Sequence, residues 1–324
     1  MQCTDRWQEV LKQAVTNPKE LCDYLGLDLP TYHSPFRFKA PWPFIQRMTH
    51  NNPNDPLFLQ VMNQLQESHT EPGFNQDPLG ETHINPTPGV LHKYHGRALI
   101  TLAGGCAIHC RYCFRRHFDY QKNQTNLSLH SPAYTYLATH SSIEEVILSG
   151  GDPLLHQDQK LLDIISHLAD IPHLKRIRIH SRLPIVIPQR ITARLLSALT
   201  SSRLQPILVI HCNHAQELDQ HTQQAFSALQ QNNITILNQA VLLRGINDDG
   251  PTLVSLSEAL FSQGVLPYYL HTLDPVAGAA HFDVRPQRIK QCYEYLLSHC
   301  PGYLVPKLVT DGPGKAYKTP WQSP

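Results

Sequence analysis

From Ala98 onward, short apolar runs that stop at a polar residue or a glycine alternate with stretches whose apolar positions recur at helical spacing. The runs Ala98–Leu102, Glu145–Leu148, Arg176–Ile179, Ile207–Ile210, Ile234–Leu237 and Val265–Leu270 read as strands. Between them lie helical patterns such as Gln157–Leu168, whose Leu161, Leu162, Ile165 and Leu168 share a face. The later strands recur at roughly thirty residues, the length of one β-α unit. This alternation predicts a parallel sheet of the α/β class. Six units of this kind predict a partial (β/α)6 TIM-type barrel, with a doubly wound open sheet as the competing arrangement.

Residues 1–90 carry no such repeat. Proline breaks in PNDPLF, EPGF, QDPLGE and NPTPGV leave room for helices near Arg6 to Ala14 and Pro56 to Gln66, followed by an irregular wrap. The expected organisation is a helical and irregular extension over 1–90, a barrel over 91–300 and a carboxyl-terminal segment over 301–324.

Polar residues gather where the strands end. The exits lead to a cysteine loop, to Ser149-Gly150-Gly151-Asp152, to His180-Ser181-Arg182, to His211-Cys212-Asn213-His214, to Asn238-Gln239 and to His271-Thr272-Leu273-Asp274. Loops at the carboxyl ends of barrel strands form the active face of such folds, so the pattern predicts an enzyme with its site there.

Composition removes several other function classes. The 27 Lys+Arg balance 26 Asp+Glu to a net charge of +1, and no basic block supplies the footprint of a nucleic-acid binder. No apolar stretch reaches the roughly 20 residues of a membrane span, and the start MQCTDRWQEV lacks the regions of a secretory signal. A cytoplasmic protein with no membrane or nucleic-acid partner is expected. Of eight cysteines, Cys3, Cys22, Cys212, Cys292 and Cys300 are scattered, whereas Cys106, Cys110 and Cys113 are clustered. That distribution fits a reducing compartment with thiolates committed to a metal better than it fits disulfides.

Soft thiolates select zinc, copper(I) or iron-sulfur clusters. A closed zinc site would have to recruit His109 or His117 as its fourth ligand. The spacing C-x3-C-x2-C favours a 4Fe-4S cluster, with three irons ligated and the fourth open. Joined to a Gly-Gly-Asp loop after the next strand, this pattern resembles the radical S-adenosylmethionine enzymes. The resemblance implies the partial barrel, and it implies that the open iron is chelated by S-adenosylmethionine, whose cleavage releases a 5′-deoxyadenosyl radical. Ser149, Gly150, Gly151 and Asp152 would then lie against the methionyl amino group.

Near its end the chain reads Asp311-Gly312-Pro313-Gly314-Lys315-Ala316-Tyr317-Lys318-Thr319-Pro320. A lysine amine can form a Schiff base with pyridoxal phosphate when it reaches a buried pocket. Together with Pro88–Tyr94, Cys106–Phe118, Arg178–Arg190, Asn238–Asn247 and Pro267–Phe282, this segment is similar to the lysine 2,3-aminomutase group, and closely to its branch that makes β-lysine for modifying elongation factor P. The resemblance places the pyridoxal lysine directly before Thr-Pro, at Lys318, and leaves Lys315 as a competitor because it interrupts the usual glycine run. It places Lys93 on the pyridoxal phosphate, and His211 and Gln239 as further cofactor contacts. It assigns Arg115 to the lysine carboxylate, and Asp274 and Asp311 to the side-chain ammonium.

The implied reaction moves the lysine α-amino group to the β-carbon. A lysine inside elongation factor P has its carboxylate locked in an amide, which would leave Arg115 without an anion, so free L-lysine is the expected substrate. A separate ligase would pass β-lysine on to elongation factor P. A flavodoxin or ferredoxin as reductant and a homo-oligomeric assembly are also expected. The alternatives are a catabolic or osmolyte-producing lysine 2,3-aminomutase and, in another class, a non-catalytic zinc or iron-sulfur binding module.

Overall fold

All the strands expected from the alternating pattern form, and most run past their expected ends. In a computed structural model that describes residues 6–322, leaving Cys3 outside, they join one nine-stranded sheet. In chain order these are β1 (Val90–Tyr94), β2 (Arg97–Ala103), β3 (Glu145–Gly150), β4 (Arg176–Ser181), β5 (Gln205–Ile210), β6 (Thr235–Val241), β7 (Leu266–His271), β8 (Lys307–Thr310) and β9 (Thr319–Pro320).

Their spatial order is also β1 to β9, and β2 through β8 are all parallel. A doubly wound sheet reverses its strand order at a switch point. This sheet does not, so the partial barrel is the arrangement that forms. The parallel run is one strand longer than the six expected, because β8 was too short to stand out as an apolar run. Antiparallel strands flank it at both ends, β1 on β2 and β9 on β8. The sheet curls far enough for Lys93 and Tyr94 of β1 to bond Asp311, the residue after β8.

Helices cover the outside of the sheet. Asp158–Ala169 buries Leu161, Ile164, Ile165 and Leu168, so Ile164 takes the place expected for Leu162. Asp219 and Asp249 cap the helices Gln220–Gln231 and Gly250–Ser262 by accepting from the backbone N–H of Thr222 and Thr252, each cap worth about 1 kcal/mol.

The helix expected over Pro56 to Gln66 is a single turn, Pro56–Leu59. Gln60 ends it: its carbonyl accepts from Arg111 N in the cysteine loop, and its side chain donates to Glu217 Oε1. A longer helix would have committed that carbonyl to its own ladder. Conversely, Pro18–Leu25 is a helix that was not expected, although Asn17 and Pro18 at its start and Gly26 in the left-handed region at its end are ordinary helix signals. Trp7, Leu21, Phe44, Ile45, Leu57 and Phe58 of the first ninety residues join the same apolar core as Ile100, Leu148, Ile177 and Leu208 of the strands.

Candidate active site

The carboxyl ends of the parallel strands open onto a cavity of about 280 Å³. Its wall contains Cys106, Cys110 and Cys113, the Ser149–Asp152 loop, Arg115, His211, Gln239, Asp274, Asp311, Lys93 and Lys318. Every residue assigned by resemblance therefore reaches one space. Lys315 is exposed and lies outside that wall.

The three cysteines are not in disulfides. Burial and mutual repulsion push the Cys106 thiol up, and Cys113 rises to about 11 from burial and the neighbouring Cys110. Burial thus leaves Cys106 and Cys113 disposed to give up their protons to a bound cation, the behaviour of metal-ligating thiols. One cation already approaches: the Arg182 guanidinium donates from Nη1 to Cys110 Sγ at 2.8 Å. His109 and His117 are turned elsewhere, His109 Nδ1 to the Arg37 carbonyl at 2.8 Å and His117 Nε2 to that of Ala277 at 3.1 Å. Neither lines the cavity with the cysteines.

The amino-terminal wrap holds the cysteine loop in place. His109 N donates to the Lys39 carbonyl at 2.9 Å. Arg111 is fully buried, paired with Glu67, and also donates to Ser34 and to the carbonyls of Phe36 and Arg37. Arg116 joins the same Glu67 carboxylate at 2.7 Å.

The glycines that end and follow β3, Gly150 and Gly151, fit against this loop from the other side. A Cβ on Gly151 would sit 2.1 Å from the Gly105 carbonyl oxygen, and Gly150 has φ +112 with Ala103 O 2.5 Å from any Cβ. Only glycine permits that approach. Gly151 N and Asp152 N then donate to the carbonyls of Ala103 and Gly105 at 2.6 and 2.8 Å. Asp152 lines the cavity, but its carboxylate accepts from Ser181 Oγ, Leu154 N, Arg182 N and Leu183 N. It ties the exits of β3 and β4 together, and burial raises it to about 6 against those four bonds.

Arg115 is not a vacant fork. Its Nε and Nη2 donate to the two oxygens of Glu81, each at 2.7 Å, and Nη1 donates to Ser149 Oγ at 3.1 Å. Glu81 was not among the residues singled out in the sequence, where it is one acid in a proline-broken stretch. The counter-ion weakens one step of the sequence argument, since Arg115 does not need a substrate anion for charge balance.

The two aspartates differ sharply. Asp311 bonds Lys93, Lys318 at 2.9 Å and the Tyr94 hydroxyl, and the lysines hold it well below the usual carboxylate range despite burial. Asp274 has no ion-pair partner within 4.0 Å among the described residues, and burial raises it to about 7. Lys93 thus meets Asp311 directly. The His180, His211 and His271 rings are held neutral, chiefly by burial, with His211 lowered to about 4. His180 Nε2, His271 Nε2 and Gln239 Oε1 are buried in the wall without a hydrogen-bond partner, an arrangement that a polar ligand in the cavity would satisfy.

The site thus combines clustered thiols, a buried guanidinium, a lysine amine and two unlike carboxylates. The sequence profile of the 4Fe-4S single cluster domain matches residues 95–181, which include all three cysteines. The L-lysine 2,3-aminomutase of Haemophilus influenzae is 48% identical over 97% of this chain and 94% of its own length. That of Escherichia coli is 48% identical over 97% and 94%, and that of Buchnera aphidicola 44% over 96% and 94%. No helix among the described residues is long and apolar enough to cross a membrane. The likeness runs nearly end to end: the chain is an enzyme that belongs to the L-lysine 2,3-aminomutase family.

Proposed function

We propose that this enzyme converts free L-lysine to β-lysine, with a 4Fe-4S cluster on Cys106, Cys110 and Cys113, S-adenosylmethionine beside Ser149–Gly151, and pyridoxal phosphate on Lys318. The observation that carries the reading is the shared wall: thiols, Arg115, Lys318, Asp274 and Asp311 line one cavity. The cluster with S-adenosylmethionine supplies a carbon radical that can take a hydrogen from an unactivated C–H bond, and pyridoxal phosphate supplies delocalisation for the migrating amine.

The chain's own residues orient and exclude. Arg115 offers the N–H groups that Glu81 and Ser149 leave over to the α-carboxylate of lysine. Asp274, half-ionised near neutral pH without a partner, becomes a full anion when the distal ammonium arrives. Asp311 holds Lys318 at the cavity wall; were that amine to carry pyridoxal phosphate, the Asp311 carboxylate would keep Lys93 and have room for the substrate's distal ammonium. The buried neutral imidazoles of His180 and His271 give hydrogen bonds without adding charge.

The product is destined for elongation factor P through a separate ligase, and a flavodoxin- or ferredoxin-type protein provides the electron. Free lysine is supported by the names of the relatives and by Arg115, whose position in the wall suits a carboxylate that a protein-bound lysine lacks. The test is anaerobic turnover of isotope-labelled L-lysine by protein reconstituted with iron, sulfide, S-adenosylmethionine, pyridoxal phosphate and a reductant. Labelled β-lysine is the expected product. Rearrangement of a lysine within intact elongation factor P, with none of the free amino acid, would overturn the reading.

A further inference from the structure

Glu81 lines the cavity and has no part in the reaction as set out above. It opens the short helix Glu81–His83, directly after Gly80, whose φ of +64 is a turn that glycine adopts without strain. Asp77 Oδ1 accepts the Glu81 backbone N–H at 2.9 Å, so the main chain beneath the side chain is fixed.

The carboxylate meets Arg115 side-on, through Nε and Nη2 at 2.7 Å each. A guanidinium has five N–H groups in a rigid plane. With two committed to Glu81, and Nη1 donating to Ser149 Oγ at 3.1 Å and, at a long 3.5 Å, to the Gly150 carbonyl, the N–H group left over is the outer one on Nη2, at the end of the fork. That end can take a second carboxylate through Nη2, and through Nη1 in exchange for its long bond to the Gly150 carbonyl. The Arg115 and Glu81 side chains are only 7% and 10% exposed, so swinging Glu81 aside would strand a buried charge. The side-on pair persists while the end is used.

We propose that Glu81 is a positioning residue that locks the plane of Arg115, so that the end of its fork meets the substrate α-carboxylate in one orientation. The inference rests on the reading of Arg115 as the carboxylate site. Because Glu81 already neutralises Arg115, the carboxylate is recognised by directed hydrogen bonds rather than by net charge. Loosening the plane therefore costs affinity only for ligands that carry the carboxylate.

Calorimetric titration of L-lysine and of lysinamide, which lacks the carboxylate, into the reconstituted enzyme tests this without turnover. Glu81→Asp keeps the charge but is one methylene too short to hold both nitrogens. In that variant the Kd for lysine should rise tenfold or more while that for lysinamide changes less than threefold. Equal changes for both ligands, or none, overturn the proposal. Should the Asp variant not fold, Glu81→Gln carries the same expectation, since its amide sets an N–H against the guanidinium. Tighter lysine binding in Glu81→Gln would show Glu81 to be a competitor for Arg115, and would equally overturn it. If the wild-type enzyme binds lysine and lysinamide alike, the Arg115 reading itself fails, an outcome distinct from a wild type that discriminates as strongly as its Glu81 variants.

Discussion

Lys318 Nζ stands 2.9 Å from Asp311 Oδ2, seven residues back along the chain. The amine proposed to hold the cofactor thus occupies the carboxylate proposed to receive the substrate's distal ammonium. Lys93 shares the same carboxylate, so Asp311 faces two cations of the protein's own before any ligand enters.

Lys318→Ala should abolish both turnover and the pyridoxal phosphate absorbance, while iron and sulfide contents stay at wild-type levels. Lys315→Ala, at an exposed position, should lose less than twofold in kcat/KM. Retention of the chromophore in Lys318→Ala together with its loss in Lys315→Ala would reverse the assignment.

Asp274 gives a pH signature. Burial raises its folded-state value to about 7, above the ordinary value of 3.8 for an aspartate. A raised carboxyl contributes stability that is fully present below the ordinary value and lost as pH rises through about 7. Asp274→Asn should therefore melt near the wild type at pH ~3.5, gain on it as pH rises between the two values, and melt several degrees above it at pH ~8, where the wild type bears the cost of a buried anion. The KM for lysine should rise in the wild type as pH falls below neutral, because the protonated acid no longer attracts the ammonium. A KM independent of pH from about 6 to 8 would remove Asp274 from the substrate's side chain.

At Gly151 an added methyl group meets backbone on the opposite loop, 2.1 Å from Gly105 O, and nothing there can rotate away. Gly151→Ala should lose most of its bound iron and be destabilised by about 2 kcal/mol or more. Gly302→Ala, where nothing lies within 4 Å of the new methyl, is the matched control and should keep both. Iron analysis and thermal melting of the two variants decide it.

Arg182 donates to Cys110 Sγ and pairs with the fully buried Glu217 at 3.0 Å. Hydrogen bonds to cluster sulfurs are one of the settings of an iron-sulfur potential. Arg182→Lys keeps a cation near Glu217 but loses the planar fork that reaches both groups. Its cluster should titrate at a more negative potential than the wild type's when followed by electron paramagnetic resonance. An unchanged potential would mean that the bond to Cys110 does not persist in the loaded enzyme.

The strands and the chemistry at their exits were legible because both leave local marks. An apolar run ending at Ser149 or His271 needs no distant information to be recognised, and neither does a cysteine spacing. What escaped the sequence depends on partners far along the chain. Glu81 is defined by Arg115, 34 residues away, and the early end of the helix at Gln60 by Arg111 and Glu217. The four bonds that Asp152 accepts come from the next strand exit as well as its own turn, so its joining role follows from the sheet order and not from the Gly-Gly-Asp stretch. The short β8 and β9 gave too little pattern to be seen, yet they carry Asp311 and Lys318 into place.

The sheet stops short of closing on itself: its first and last strands share no backbone ladder, and the wall between them is latched by the Asp311 side chain reaching Lys93 and Tyr94. Asp311 therefore fastens the seam of the sheet as well as lining the cavity. The carboxylate that fastens this seam is the one that also faces Lys318, so the contents of the chamber and the closure of its wall meet at a single side chain.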